Sequence, residues 1–403
     1  MNPRNFSPLF RHTVALGVAL GALFLAACGG GGGDGSSGSS GSGTLSVSMT
    51  DAPACGFDHV FVTVDRVRVN TDPNADINGS GWTDVVVSPA RRIDLLSLTN
   101  GVLTTLGQTP LPAGTYQQIR LVLVPNGAGA PANSVVPTGG TEQALDTPSA
   151  VQTGIKIIRP FTVAPNTLTD LVLDFDACKS IVTRGNGTFG LKPVVTALPT
   201  VVSGAVTGVL VGAPGAQVYA ERNGAVVKAT VADANGNFTL SPIEQSSTAG
   251  NVDVVIVPTS TNGRTTGIVR SVPVVAGGST AVATAAAPIS LPTSVFRTVS
   301  GTVTPASAQA TIRALQLTGG GTFEIAATAA ASDTGAYSLF PTQPALPAGA
   351  PLVGTYQTTL PIPLAADATA AGKYSIQATS SSGTVSTQQV NVTVSNAIQN
   401  FAF

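Results

Sequence analysis

Leu168-Thr169-Asp170-Leu171-Val172-Leu173-Asp174-Phe175-Asp176 decides the fold class of this 403-residue chain. Leu171, Leu173 and Phe175 share one phase of a period of two, and Asp170, Asp174 and Asp176 share the other. That is a strand with one buried and one polar face. Outward from it, the same period runs through residues 45–49, 59–69, 82–87, 116–124 and 189–195. Within 59–69, Val60, Val62 and Val64 keep one phase while Val67 and Val69 keep the other, so a β-bulge is expected near Asp65 and Arg66. Forty-five Gly and 28 Pro punctuate a chain otherwise rich in Val, Thr and Ala. Short strands joined by tight turns follow, and the fold class is all-β, built of sandwiches.

Two later segments look like copies of one another. Val202-Ser203-Gly204-Ala205-Val206-Thr207 recurs as Val299-Ser300-Gly301-Thr302-Val303-Thr304. Asp233-Ala234-Asn235-Gly236-Asn237-Phe238-Thr239-Leu240 returns as Asp333-Thr334-Gly335-Ala336-Tyr337-Ser338-Leu339 at nearly the same offset, with an insertion at 341–363 in the second copy. An opening strand, a polar turn with Gly and then aromatic-x-Leu resembles the carboxypeptidase regulatory-like, or prealbumin-like, β-sandwich modules. That resemblance implies spacers or binding accessories. Two independent cores are expected, one including Val206, Val218, Phe238 and Leu240, the other Val303, Ile312, Tyr337 and Leu339.

The first segment carries Thr50-Asp51-Ala52-Pro53, Ile93-Asp94-Leu95-Leu96, Leu111-Pro112-Ala113-Gly114-Thr115-Tyr116 with Ile119-Arg120-Leu121, then Leu173 to Ser180, and Leu191-Lys192-Pro193. In that order these motifs resemble the bacterial lipoprotein domain of unknown function family 4382, which implies no established activity and no catalytic residues.

The N-terminus sets the compartment. Arg4 and Arg11 precede an apolar run, residues 14–27, too short for a spanning helix, which needs about 20 apolar residues. It ends in Leu25-Ala26-Ala27-Cys28. This resembles the lipobox of bacterial lipoproteins, which implies cleavage before Cys28 and lipid attachment to it. The Gly/Ser run after Cys28 cannot bury enough surface to fold and would span about 20 Å as a tether. Gly29 in place of an aspartate resembles outer-membrane sorting. Five segments are therefore expected: a signal peptide, 1–27; a Gly/Ser-rich tether, 28–43; a family 4382-like sandwich, 44–199; a carboxypeptidase regulatory-like sandwich, 200–292; and a second, divergent module, 293–403. With Cys28 acylated, two cysteines remain in an exported chain, and an oxidising periplasm makes a Cys55–Cys178 disulfide the default.

Charge and chemistry narrow the function. Charged residues are 10% of the chain, with 19 Lys and Arg against 20 Asp and Glu, so no cluster of cations suits nucleic acid. A hydrolytic triad needs an imidazole. After cleavage only His59 remains, with Asp58 beside it and no Gly-x-Ser-x-Gly elbow anywhere. One histidine and two distant cysteines make no zinc site. Asp170, Asp174 and Asp176 are weak calcium candidates, against the plainer reading of a solvated face that discourages edge pairing. Asp233, Asn235, Asn237, Thr239, Ser241 and Glu244 match calcium-loop spacing, but Phe238 stands where the turn requires Gly, so a hairpin turn is expected. Asn400-Phe401-Ala402-Phe403 ends like a barrel strand, yet the Gly and Pro breaks argue against a barrel, and the phenylalanines are expected in the last core strand. No cofactor and no enzymatic activity are expected. The reading is a lipid-anchored envelope protein that binds or scaffolds an envelope protein or glycan. Its rival is a metal-dependent hydrolase using the first-segment aspartates.

Overall fold

The computed structural model describes residues 41–52, 56–246, 249–339 and 346–403, apart from the side chains of residues 52 and 178. The described chain is all-β, three sandwiches in tandem. In the first, Leu168–Asp176 runs parallel to Ser42–Ala52, flanked by Val195–Pro199 and Thr104–Pro112. The register sets Val47 beside Leu171, Met49 beside Leu173 and Asp51 beside Phe175. The hydrophobic phase of the quoted stretch thus faces a core with Leu45, Val47 and Met49, all fully buried. The opposing eight-stranded sheet is centred on Phe57–Asn70, which contributes Val60, Val62, Val64, Val67 and Val69. Its register against both Thr83–Asp94 and Gln118–Leu123 shifts between Val64 and Arg66, where the bulge was expected. The shift lets both valine phases face the same core.

The copied segments fold alike. Ser203–Val211 pairs antiparallel with Asn237–Glu244, and Val299–Thr304 pairs with Ala336–Ser338. Gly236 and Gly335, at φ +83° and +69°, turn the chain where a Cβ would lie 2.0 Å from the carbonyl oxygen of Leu210 or Val303. The Asp-to-Gly stretch is a tight turn, with Asp233 Oδ1 accepting the amides of Asn235 and Asn237, but not the expected hairpin, because the strands it joins, Ala225–Val231 and Asn237–Glu244, belong to different sheets. The eight core positions read from the sequence are buried. Phe401 is buried in a strand beside Val299–Thr304, whereas Phe403 is partly exposed.

The two named sets of core positions fall in separate clusters, as expected, but the second and third segments are not separate bodies. The second sandwich's larger sheet runs Ala225–Val231, Gln217–Arg222, Val252–Val257, Gly267–Val272, and then takes Leu352–Thr355 and Ala365–Ala366 from the third segment. Residues 352–355 of the 341–363 insertion are therefore part of the second sandwich. That sheet is also covered on both faces. Val218, Ala220, Val254, Ile256 and Val269 point into the second core, while Tyr219, Val255, Val257 and Ile268 belong to the cluster of Ile312, Phe323, Tyr337 and Tyr374. Two-sided burial explains why Val252–Val257 is apolar almost throughout instead of alternating.

Candidate functional site at the junction of the three sandwiches

The polar phase of Leu168–Asp176 leads to a cluster of buried charge. With Leu171, Leu173 and Phe175 committed inward, Asp174 must point out, and there it meets the Ala225–Val231 strand of the second sandwich. Lys228 Nζ donates to Asp174 Oδ1 at 2.7 Å, the two side chains being 1% and 14% exposed. Burial raises the Asp174 pKa and Lys228 opposes that shift. Two residues on, Asp176 Oδ1 accepts the Lys179 amide and Oδ2 lies 3.1 Å from Lys179 Nζ. Burial lowers the Lys179 pKa, but Asp176 and Glu324 outweigh it, and the net shift is upward.

Asp51 takes an inward position beside Phe175. Its Oδ1 accepts the Ala177 amide at 3.1 Å, while Oδ2 is buried with no hydrogen-bond partner among the described residues. Burial first, then the Asp176 charge, raises its pKa well above the ordinary value. Across the junction, Glu221 Oε2 accepts the Glu324 amide at 3.0 Å and Oε1 has no partner among the described residues. Burial pushes Glu221 up to about 8. Glu324 is itself paired with Arg313, which also reaches Gln377 and the Gly224 carbonyl. Burial raises the Tyr219 pKa, and Glu324, Asp176 and Glu221 add to it, so charges from all three sandwiches act on one phenol. Buried pairs of this kind hold elements in register more than they add stability, and breaking one strands a charge.

The three aspartates of the calcium reading do not come together. Asp170 is exposed toward the far end of the strand, where its carbonyl accepts the Thr200 hydroxyl. Asp174 and Asp176 are each taken by a lysine. Among the described residues no group of three or more His, Cys, Asp or Glu is placed to hold a metal. His59 Nδ1 lies 2.6 Å from Asp94 Oδ2 and its ring stacks on Phe61, so Asp94 orients it. Asp58, the partner expected from sequence, instead accepts the Gly139 amide. Cys28 and Cys55 lie outside the described residues, as does the Cys178 side chain.

Lys228, Glu221, Glu324 and Arg313 escaped the sequence reading because the copied segments look chemically bland. The available signal was a charge inside an apolar strand: Lys228 in Ala-Val-Val-Lys-Ala-Thr-Val, and Glu221 one residue from the end of Gln217–Arg222.

Residues 42–193 match the family model described as Domain of unknown function (DUF4382), which supports the resemblance drawn from the first-segment motifs. No curated relative matches the chain. Among solved structures it is similar to BcpA, the major pilin subunit of Bacillus cereus, at 10% identity over 90% of this chain and 98% of that one, with a TM-score of 0.14. It is also similar to a Ca2+-stabilised adhesin with which an Antarctic bacterium binds ice, at 13% identity over 88% and 74% of the two chains, again with a TM-score of 0.14. Likeness at that score bears on neither shape nor role.

Proposed function

We propose that this protein is a lipid-anchored, non-catalytic scaffold of the bacterial cell envelope, held at the outer membrane through Cys28 and presenting an envelope protein or glycan with a three-sandwich body. The second and third sandwiches, read as carboxypeptidase regulatory-like modules, serve as structural extension. One observation carries the reading: the carboxylates best suited to chemistry, Asp174 and Asp176, are spent on lysines, Asp174 on Lys228 of the second sandwich, which ties the two together, and Asp176 on its own neighbour Lys179. The same proposal includes a Cys55–Cys178 disulfide. Ser42–Ala52 and Leu168–Asp176 run parallel with residue 52 beside Asp176, so both strands leave the sheet at the same end, three residues before Cys55 and two before Cys178.

Mass spectrometry of the mature protein, purified without reductant from the membrane fraction, tests both cysteine assignments. The expected result is an acylated N-terminal Cys28 and one peptide pair linked through Cys55 and Cys178. Replacing Cys28→Ala should abolish palmitate labelling, since stable anchoring depends on the attached chains. Unchanged labelling would overturn the anchor, and two separately alkylated thiol peptides would overturn the disulfide.

A further inference from the structure

A cleft of about 490 Å³ separates the first sandwich from the second, a size within the range of small-molecule sites, about 300–1,000 Å³. Its lining combines two features. Ile158 and Val227, 53% and 41% exposed, are large hydrophobic side chains left on the surface, one from each sandwich, and both line it. The charged lining is unbalanced: Lys156, Arg159 and Arg222 against Glu244 and Asp174. The two carboxylates are already engaged, Glu244 by Arg159 at 2.6 Å and Asp174 by Lys228. Lys156 and Arg222 are left with no carboxylate partner among the described residues.

Arg222 is the more telling of the two. Its Nη2 donates to the carbonyls of Glu244 and Gly250, but Nε is buried with no hydrogen-bond partner among the described residues. Burial lowers its pKa, and Glu244 only partly offsets this. A partly desolvated guanidinium whose donor is unmet among the described residues favours an incoming anion, since charge-assisted hydrogen bonds are the stronger ones and a buried unmade one is costly. We propose that this cleft binds a diffusible small organic anion, its carboxylate or phosphate meeting Arg222 and Lys156 and its short apolar body resting on Ile158 and Val227. The proposal deepens the binding half of the scaffold reading by naming a ligand class, and it does not depend on the anchor.

The test is calorimetric titration of the unlipidated protein from Ser40 onward, which forms one compact unit, with octyl phosphate, inorganic phosphate and octanol. Octyl phosphate should saturate at one equivalent, with the other two at least about ten-fold weaker, and Arg222→Gln should weaken it by about ten-fold, or about 1.4 kcal/mol. Lys156→Gln, which alters an exposed side chain and leaves the fold untouched, should also weaken it. Equal binding of octanol or of inorganic phosphate, binding insensitive to both substitutions, or no saturable binding at millimolar octyl phosphate would each overturn the assignment. Arg222-dependent capture by vesicles of anionic phospholipid would overturn the diffusible ligand. Because the protein used lacks its lipid, failure here leaves the anchor reading standing, and failure of the anchor leaves this one standing.

Discussion

The first sandwich meets the second through polar ties, while the second meets the third through shared hydrophobic core. On one side stand Lys228 with Asp174, Arg159 with Glu244, and Asn100, whose side chain accepts from the Thr230 hydroxyl and the Thr239 amide. On the other, Tyr219, Val255, Val257 and Ile268 are packed with the third sandwich's residues, and the second sandwich's sheet is lengthened by a strand of the third segment. The first core, in contrast, contains no residue beyond Ala197. A polar joint can be undone by one charge, whereas an apolar joint is undone by losing the partner's whole surface. Sequence repetition therefore marks a common fold in the two copies without marking separable domains.

Truncation should show the largest effect. Deleting residues 298–403 strips Tyr219, Val255, Val257 and Ile268 of their cover, each worth about 1.5 to 3 kcal/mol when buried, and leaves Gly267–Val272 as an open edge that invites aggregation. The loss is comparable to the whole stability of a domain, about 5 to 15 kcal/mol. We expect the second sandwich to unfold or aggregate, and residues 41–202 alone to give a cooperative melt by circular dichroism. A soluble, monomeric, cooperatively folded chain ending at residue 297 would break the comparison.

The polar joint predicts a smaller, reversible effect. Lys228→Met removes the partner of a mostly buried carboxylate and should cost about 3 to 5 kcal/mol in urea unfolding. Lys228→Met with Asp174→Leu should recover most of it, because two apolar side chains of similar shape leave no stranded charge. If the single change costs under about 1 kcal/mol, the pair behaves like an exposed ion pair, and the joint rests on the Asn100 bonds instead.

Much of this architecture was legible in the residues, and the illegible part has a physical cause. Period-two alternation located Leu168–Asp176 and its buried face, and two phases of valine located the bulge at Val64 and Arg66, because both signals are local. The copied turns identified Gly236 and Gly335 for the same reason. What alternation cannot report is what covers the outward phase. Asp174 and Tyr219 both point away from their own core, and only the tertiary arrangement decides that one meets a lysine and the other a neighbouring core. The insertion at 341–363 was visible as an interruption, but strand exchange is a long-range pairing that leaves no mark in the inserted residues. The unsatisfied oxygens of Asp51 and Glu221 were equally hidden, since a lone acid in a strand usually reads as its solvated face.

The smallest effect sharpens the comparison by placing one charge inside the apolar joint. Glu221 is fully buried between the second and third sandwiches, with Glu324, Arg313 and Asp253 as the charges acting on it, and its pKa is raised from 4.5 to about 8. A carboxyl raised on folding binds its proton more tightly in the native state, so between these two values the folded protein holds more protons than the unfolded one. Stability from this group is complete below the unfolded pKa of 4.5 and is lost as pH rises through about 8. Between pH 6 and 8 the loss is on the order of 2 to 3 kcal/mol, at about 1.4 kcal/mol per pH unit. Glu221→Gln keeps an acceptor for the Glu324 amide and cannot ionise. Melting temperatures measured from pH 5 to 9 should therefore fall more steeply for the wild type than for this variant, with the two curves diverging from about pH 5 to about pH 8. Parallel curves would mean that Glu221 ionises without penalty, and that the joint between the copied sandwiches admits water.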